Sequence, residues 1–128
     1  MTVFDFGDGN GPVNAHQHSN GAGWVADTAT VDDSAYIGPD ALVYGNAWVC
    51  DHAWVYGNAR IYGNAFLADQ CQVFDNAKVY GNARLEHAAR VYENAEVYGN
   101  SIIGYHTMVY GNAKVENYPL TDTKEIYT

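Results

Sequence analysis

Residues 43–59 read Val43-Tyr44-Gly45-Asn46-Ala47-Trp48-Val49-Cys50-Asp51-His52-Ala53-Trp54-Val55-Tyr56-Gly57-Asn58-Ala59. An aliphatic residue recurs every sixth position, and a small residue follows each one by four. Stepping outward from Val43 in both directions gives Val25, Val31, Ile37, Val43, Val49, Val55, Ile61, Leu67, Val73, Val79, Leu85, Val91, Val97, Ile103, Val109 and Val115, with no insertion between them. The small position is Ala in twelve of these sixteen hexads; Cys71, Ser101, Thr107 and Pro119 are the exceptions. Residues two apart on a strand share a side, so the small residue and the next aliphatic face the same way. Each hexad is therefore a very short strand and a turn. Three hexads close a coil, and stacked coils pair at about 4.8 Å. The sixteen hexads predict about five such coils. No stretch has helical periodicity, and the links are too short for helical crossovers.

This pattern resembles that of the hexapeptide-repeat superfamily, whose fold is the left-handed parallel β-helix. The resemblance covers Val25 to about Leu120 and implies an all-β chain with three divisions. Residues 1–24 form an irregular Gly-rich N-terminal cap, 25–120 the β-helix, and 121–128 a polar C-terminal tail. In the cap, Phe4, Phe6 and Trp24 are expected to cover the first coil. A fold of this kind does not specify a function.

The three faces differ. One carries Tyr44, Tyr62, Tyr80 and Tyr98 directly after its aliphatics, and another carries Tyr56, Phe74, Tyr92 and Tyr110. Stacked one per coil, these side chains form aromatic ladders that stabilise the faces. They are also the candidate platform for a glycan. All eight hexads have Asn at the fourth position, where tolerance of left-handed backbone and coil-to-coil amide hydrogen bonds both suit a tight corner. The remaining face lacks the pattern. Its outward residues are Thr30, Trp48, Phe66, Arg84 and Ile102 before the aliphatic, and Asp32, Cys50, Ala68, Glu86 and Gly104 after it. Large apolar groups beside small ones make a knobbed surface of the kind that marks contacts. Proteins of this superfamily are typically homotrimers. The expected trimer interface is therefore Trp48, Cys50, Phe66, Ala68, Arg84, Glu86, Ile102 and Gly104, with Trp48 and Phe66 as anchors and Arg84–Glu86 as an intersubunit ion pair.

Charge and histidine placement narrow the chemistry. The 128-residue chain carries 6 Lys and Arg against 15 Asp and Glu, a net charge of −9. With its cations scattered, it is a poor partner for a nucleic-acid backbone. No apolar run approaches a membrane span, and the acidic N-terminus does not read as a signal peptide. Cys71 faces the core and Cys50 faces out, so they are not expected to pair. Two free thiols suit a reducing compartment. His52, His87 and His106 lie on three different coils of the odd face and cannot converge on one metal ion. His16 and His18 point the same way in extended chain, and three copies at an axis would offer six imidazoles to a transition metal. They are the secondary metal candidate, and no cofactor is otherwise expected. Asp5, Asp8 and Asn10 do not match an EF-hand loop.

The whole chain resembles small hexapeptide-repeat proteins of bacteriophages and bacteria. The resulting expectation is a non-catalytic, rigid homotrimeric prism. It would be a virion component, such as a capsid decoration protein or part of a tail spike or fibre, with itself and other virion proteins as partners. Its location would be the virion or the bacterial cytoplasm. Two alternatives stay open: an acyltransferase or metal-dependent lyase using an intersubunit site near His52 and His106, and a module binding glycans or small ligands.

Overall fold

The computed structural model describes residues 2–128. Each hexad places a two- or three-residue strand at its aliphatic position, and the chain turns after every one. The strands stack into three sheets. The first sheet has parallel strands Trp24–Ala26, Leu42–Val43, Arg60–Ile61, Lys78–Val79, Glu96–Tyr98 and Lys114–Glu116. The second has Thr30–Val31, Trp48–Val49, Phe66–Leu67, Arg84–Leu85 and Ile102–Ile103. The third has Tyr36–Ile37, Trp54–Val55, Gln72–Val73, Arg90–Val91, Met108–Tyr110 and Glu125–Tyr127. The chain is a parallel β-solenoid of about six turns. The sixteen hexads predicted about five. The difference arises because the segment after Pro119 returns as the strand Glu125–Tyr127 beside Met108–Tyr110.

Inside, the frame aliphatics and the small residues form one continuous core. Val31 alone of the sixteen is half-buried, because its strand is the uncovered edge of the second sheet. Cys71 fills an Ala site of that core without exposure. No buried side-chain nitrogen or oxygen among the described residues lacks a hydrogen-bond partner.

The left-handed backbone lies one residue earlier than expected. It is the third position that takes positive φ, filled by Gly45, Gly63, Gly81 and Gly99 on the first sheet, not the Asn that follows. A Cβ at Gly45 would sit 2.9 Å from the amide nitrogen of Gly63 in the next coil, so coil spacing as well as φ favours glycine there. The Asn residues instead supply coil-to-coil bonds on the third sheet, where Asn58 donates to Asn76, Asn76 to Asn94 and Asn94 to Asn112 at 3.4–3.5 Å.

Both ends are closed by departures from the repeat. The cap is more regular than the expected irregular segment: β1 (Val3–Asp5) and β2 (Pro12–Gln17) form an antiparallel hairpin, and β2 pairs with Trp24–Ala26. Pairing satisfies an edge that would otherwise be open. The loop after β2 covers the third sheet, with the Ile37 amide donating to the Asn20 carbonyl at 3.0 Å. At the other end Ser101 and Thr107 occupy Ala sites and bond the terminal segment. Tyr118 N–H donates to Ser101 Oγ at 3.0 Å and Lys124 N–H to Thr107 Oγ1 at 3.1 Å.

Candidate functional site

Along the first sheet the Tyr44, Tyr62, Tyr80 and Tyr98 rings stack with centroids 4.8–5.1 Å apart and planes within 6°. On the third sheet Tyr56, Phe74, Tyr92 and Tyr110 do the same at 4.9–5.2 Å and within 9°. Each ladder is lengthened by an end segment. Ala26 stands where the first ladder would have another ring, and Phe6 of the cap fills that place, stacked on Tyr44 at 4.9 Å. Tyr127 extends the second ladder from Tyr110 at 5.1 Å. Sequence reasoning assigned Phe6 to the coil end; its role as a ladder ring is visible only once the hairpin is folded back.

Ring orientation bears directly on the glycan reading. A sugar stacks on a ring face, but within each ladder the faces are covered by neighbouring rings and edges meet solvent; an outer face is left at the ladder end, where Tyr127 is 61% exposed. Several of the hydroxyls are engaged as well. Tyr56 donates to Gln72 at 3.2 Å, Tyr80 to Glu96 at 2.7 Å and Tyr110 to Glu125 at 2.8 Å. Burial, then the bond to Glu96, pushes Tyr80 well above the usual phenol range. The bond to Glu125 pushes exposed Tyr110 up to about 12.

The second sheet is built differently. Its outer surface has a ridge: Trp48 is 51% exposed and meets Phe66 edge-on at 5.5 Å, and the Arg84 guanidinium lies over the Phe66 ring at 4.9 Å. Ile102 continues this column in register below Arg84. Beside the ridge runs a floor of small residues, Cys50, Ala68 and Gly104, all buried although they point outward. Glu86 interrupts that floor and lies 3.5 Å from Arg84 of its own chain. The two residues flank one aliphatic, Leu85, which lets them pair within the chain. Burial, followed by the carboxylates of Asp32 and Asp51, raises the Cys50 thiol to about 11. Burial raises Cys71 to about 12.

At the corner of this sheet the third positions are not glycine but Asp51, Asp69, His87 and Tyr105, all with positive φ. The side chains of Asp51, Asp69 and His87 have a job there, each accepting the amide of the next coil. Asp69 N–H donates to Asp51 at 3.1 Å, His87 N–H to Asp69 at 2.8 Å, and Tyr105 N–H to His87 Nδ1 at 2.9 Å. Asp51, Asp69 and His87 line a shallow groove with His52 and Gln70. His87 is therefore a backbone acceptor, stacked on Tyr105 at 4.9 Å. His106 sits one coil further along, its amide donating to Thr123.

His16 and His18 are engaged separately. His16 Nδ1 is 2.8 Å from Asp27, while His18 is buried with Nε2 2.8 Å from the Ala35 carbonyl. Among the described residues no three His, Cys, Asp or Glu side chains are grouped to hold a metal ion. Asp5 and Asp8 cap the turn amides of Gly7 and Asn10. Among the described residues no helix is long and apolar enough to cross a membrane.

Uninterrupted hexads, three parallel sheets and an aliphatic core define the chain as a β-solenoid of the hexapeptide-repeat class. Within it, residues 53–67 match the family model described as the YdcK beta solenoid repeat. No curated protein and no solved structure matches the chain.

Proposed function

We propose that the protein is a non-catalytic structural module whose left-handed coils form a rigid prism and which self-associates as a homotrimer through the second sheet. The observation that carries this reading is the ridge of Trp48, Phe66 and Arg84 beside the buried floor of Cys50, Ala68 and Gly104. The other two faces carry continuous ring ladders, although the third sheet also leaves an indole, Trp54, 49% exposed. The second sheet leaves a half-exposed indole and a cation over an aromatic ring, both suited to the centre of an interface. Coils without looped-out insertions favour a scaffold over an acyltransferase or lyase. An anchoring part of a virion, as a decoration protein or a segment of a spike or fibre, is the role such a prism fits best.

Native mass spectrometry with and without a chelator tests the reading. Wild-type protein is expected at three chain masses in both conditions, and Trp48→Glu or Phe66→Glu as monomer with an unchanged far-ultraviolet spectrum. Trimers from both variants would remove the second sheet as the interface. A wild-type monomer would overturn self-association, and a chelator-sensitive mass would reopen the metal reading at His16 and His18.

A further inference from the structure

The chain contains two Asn-Gly pairs, Asn10-Gly11 and Asn20-Gly21, and both asparagines are exposed. Asn followed by Gly is the sequence most prone to deamidation, because glycine has no side chain to hinder attack by its own amide nitrogen. In that reaction the Gly nitrogen bonds to the Asn side-chain carbonyl carbon and ammonia leaves. Water then opens the resulting succinimide to aspartate or isoaspartate. The step requires the Asn–Gly peptide plane to rotate towards the side chain, so backbone freedom decides the rate.

The fold treats the two pairs differently. Asn20–Gly21 is locked. Its carbonyl accepts the Ile37 amide at 3.0 Å, and its side chain donates to the Ala35 carbonyl at 3.2 Å. Gly21 is packed so closely that a Cβ there would overlap the Ile37 carbonyl. Asn10–Gly11 lies at the tip of the cap hairpin. A Cβ at Gly9 or Gly11 would meet nothing within 4 Å, and among the described residues no backbone hydrogen bond of the turn holds this peptide. Its only tether is the exposed carboxylate of Asp8, which accepts the Asn10 amide and side chain at 3.1 Å.

We propose that Asn10 is a site of spontaneous deamidation in the native protein and that the fold protects Asn20. The product adds a negative charge beside Asp8. As isoaspartate, it also adds a methylene to the main chain of the turn that carries Phe6 back onto the first ladder.

The experiment ages native and urea-unfolded protein side by side at mildly alkaline pH, with peptide mapping by mass spectrometry. In the native sample Asn10 is expected to convert at least about tenfold faster than Asn20, since a residue that reacts only from an opened state is slowed by its opening equilibrium. In urea the two rates should converge. Asn10→Ser should remove the fast product while leaving the slow one, confirming the assignment. Equal native rates, a faster Asn20, or a native Asn10 that stays intact while the unfolded chain reacts would each overturn the proposal.

Discussion

Tyrosine and cysteine illustrate how a repeated environment changes single side chains. Tyr80 and Tyr110 hold their phenol protons more tightly when folded than when unfolded, through burial and the bond to Glu96 in one case and the bond to Glu125 in the other. A raised folded value means that the unfolded chain releases protons first as pH rises. The stability these groups contribute is therefore complete below about pH 10 and is lost above it, by about 12 for Tyr110 and at higher pH for Tyr80. Absorbance titration should show a late-ionising fraction that shrinks in Tyr80→Phe and Tyr110→Phe, with Tyr56, Tyr62 and Tyr92, also raised by burial, remaining in it. The thiols carry the same argument into reactivity. With Cys50 raised to about 11 and Cys71 to about 12, neither has appreciable thiolate at neutral pH. Alkylation should be slow in folded protein and prompt after denaturation; rapid native labelling of Cys50 would mean that the floor beside Trp48 is open.

Among the elements, the end segments are where single substitutions act most locally, because each coil of a solenoid contacts only its neighbours. Phe6 joins the hairpin to Tyr44, and the Arg60 guanidinium donates to the Phe6 carbonyl at 2.8 Å. Phe6→Ala should cost roughly 3–5 kcal/mol within the cap, a typical loss for a buried aromatic. Hydrogen exchange should then show lost protection in residues 3–26 and intact protection from the third coil onward. At the other end Ser101 holds the Tyr118 amide, so Ser101→Ala should lower stability by about 1 kcal/mol, read as a fall in melting temperature. Alanine is the usual residue at this position in the interior coils, where the carbonyls of the next coil supply the acceptors. Both cysteines, the sixteen aliphatics and the ladders were legible from spacing alone. The partners of Ser101 and Phe6 were not, since those contacts join segments far apart along the chain.

For the whole molecule, the unit that matters is the full coil and not the hexad. Removing residues 67–84 should leave a folded, shorter prism, because Leu85 takes the place of Leu67 and every column stays in register. Removing residues 67–78 keeps the hexad frame but moves the odd hexads onto ladder faces. That variant should lose melting temperature sharply, with interrupted ring stacking visible in near-ultraviolet dichroism. Equal stability of the two deletions would mean that the aliphatic core, and not the face-specific columns, sets the register.

The period of six by itself determined the solenoid and its core, and the eighteen-residue repeat of the aromatics determined the division into two ladder faces and one knobbed face, because each follows from residues repeating at a constant spacing. Tertiary structure decided what periodicity does not encode. It placed the left-handed corner one residue before the asparagines, where the backbone of the next coil comes within 2.9 Å of a Cβ position. It closed Arg84 onto Glu86 within one chain, and it turned the tail into a sixth coil. It also set the ladder rings face to face, leaving their edges to solvent. Contacts between coils depend on how closely stacked backbones approach, and that distance exists only after the chain has folded.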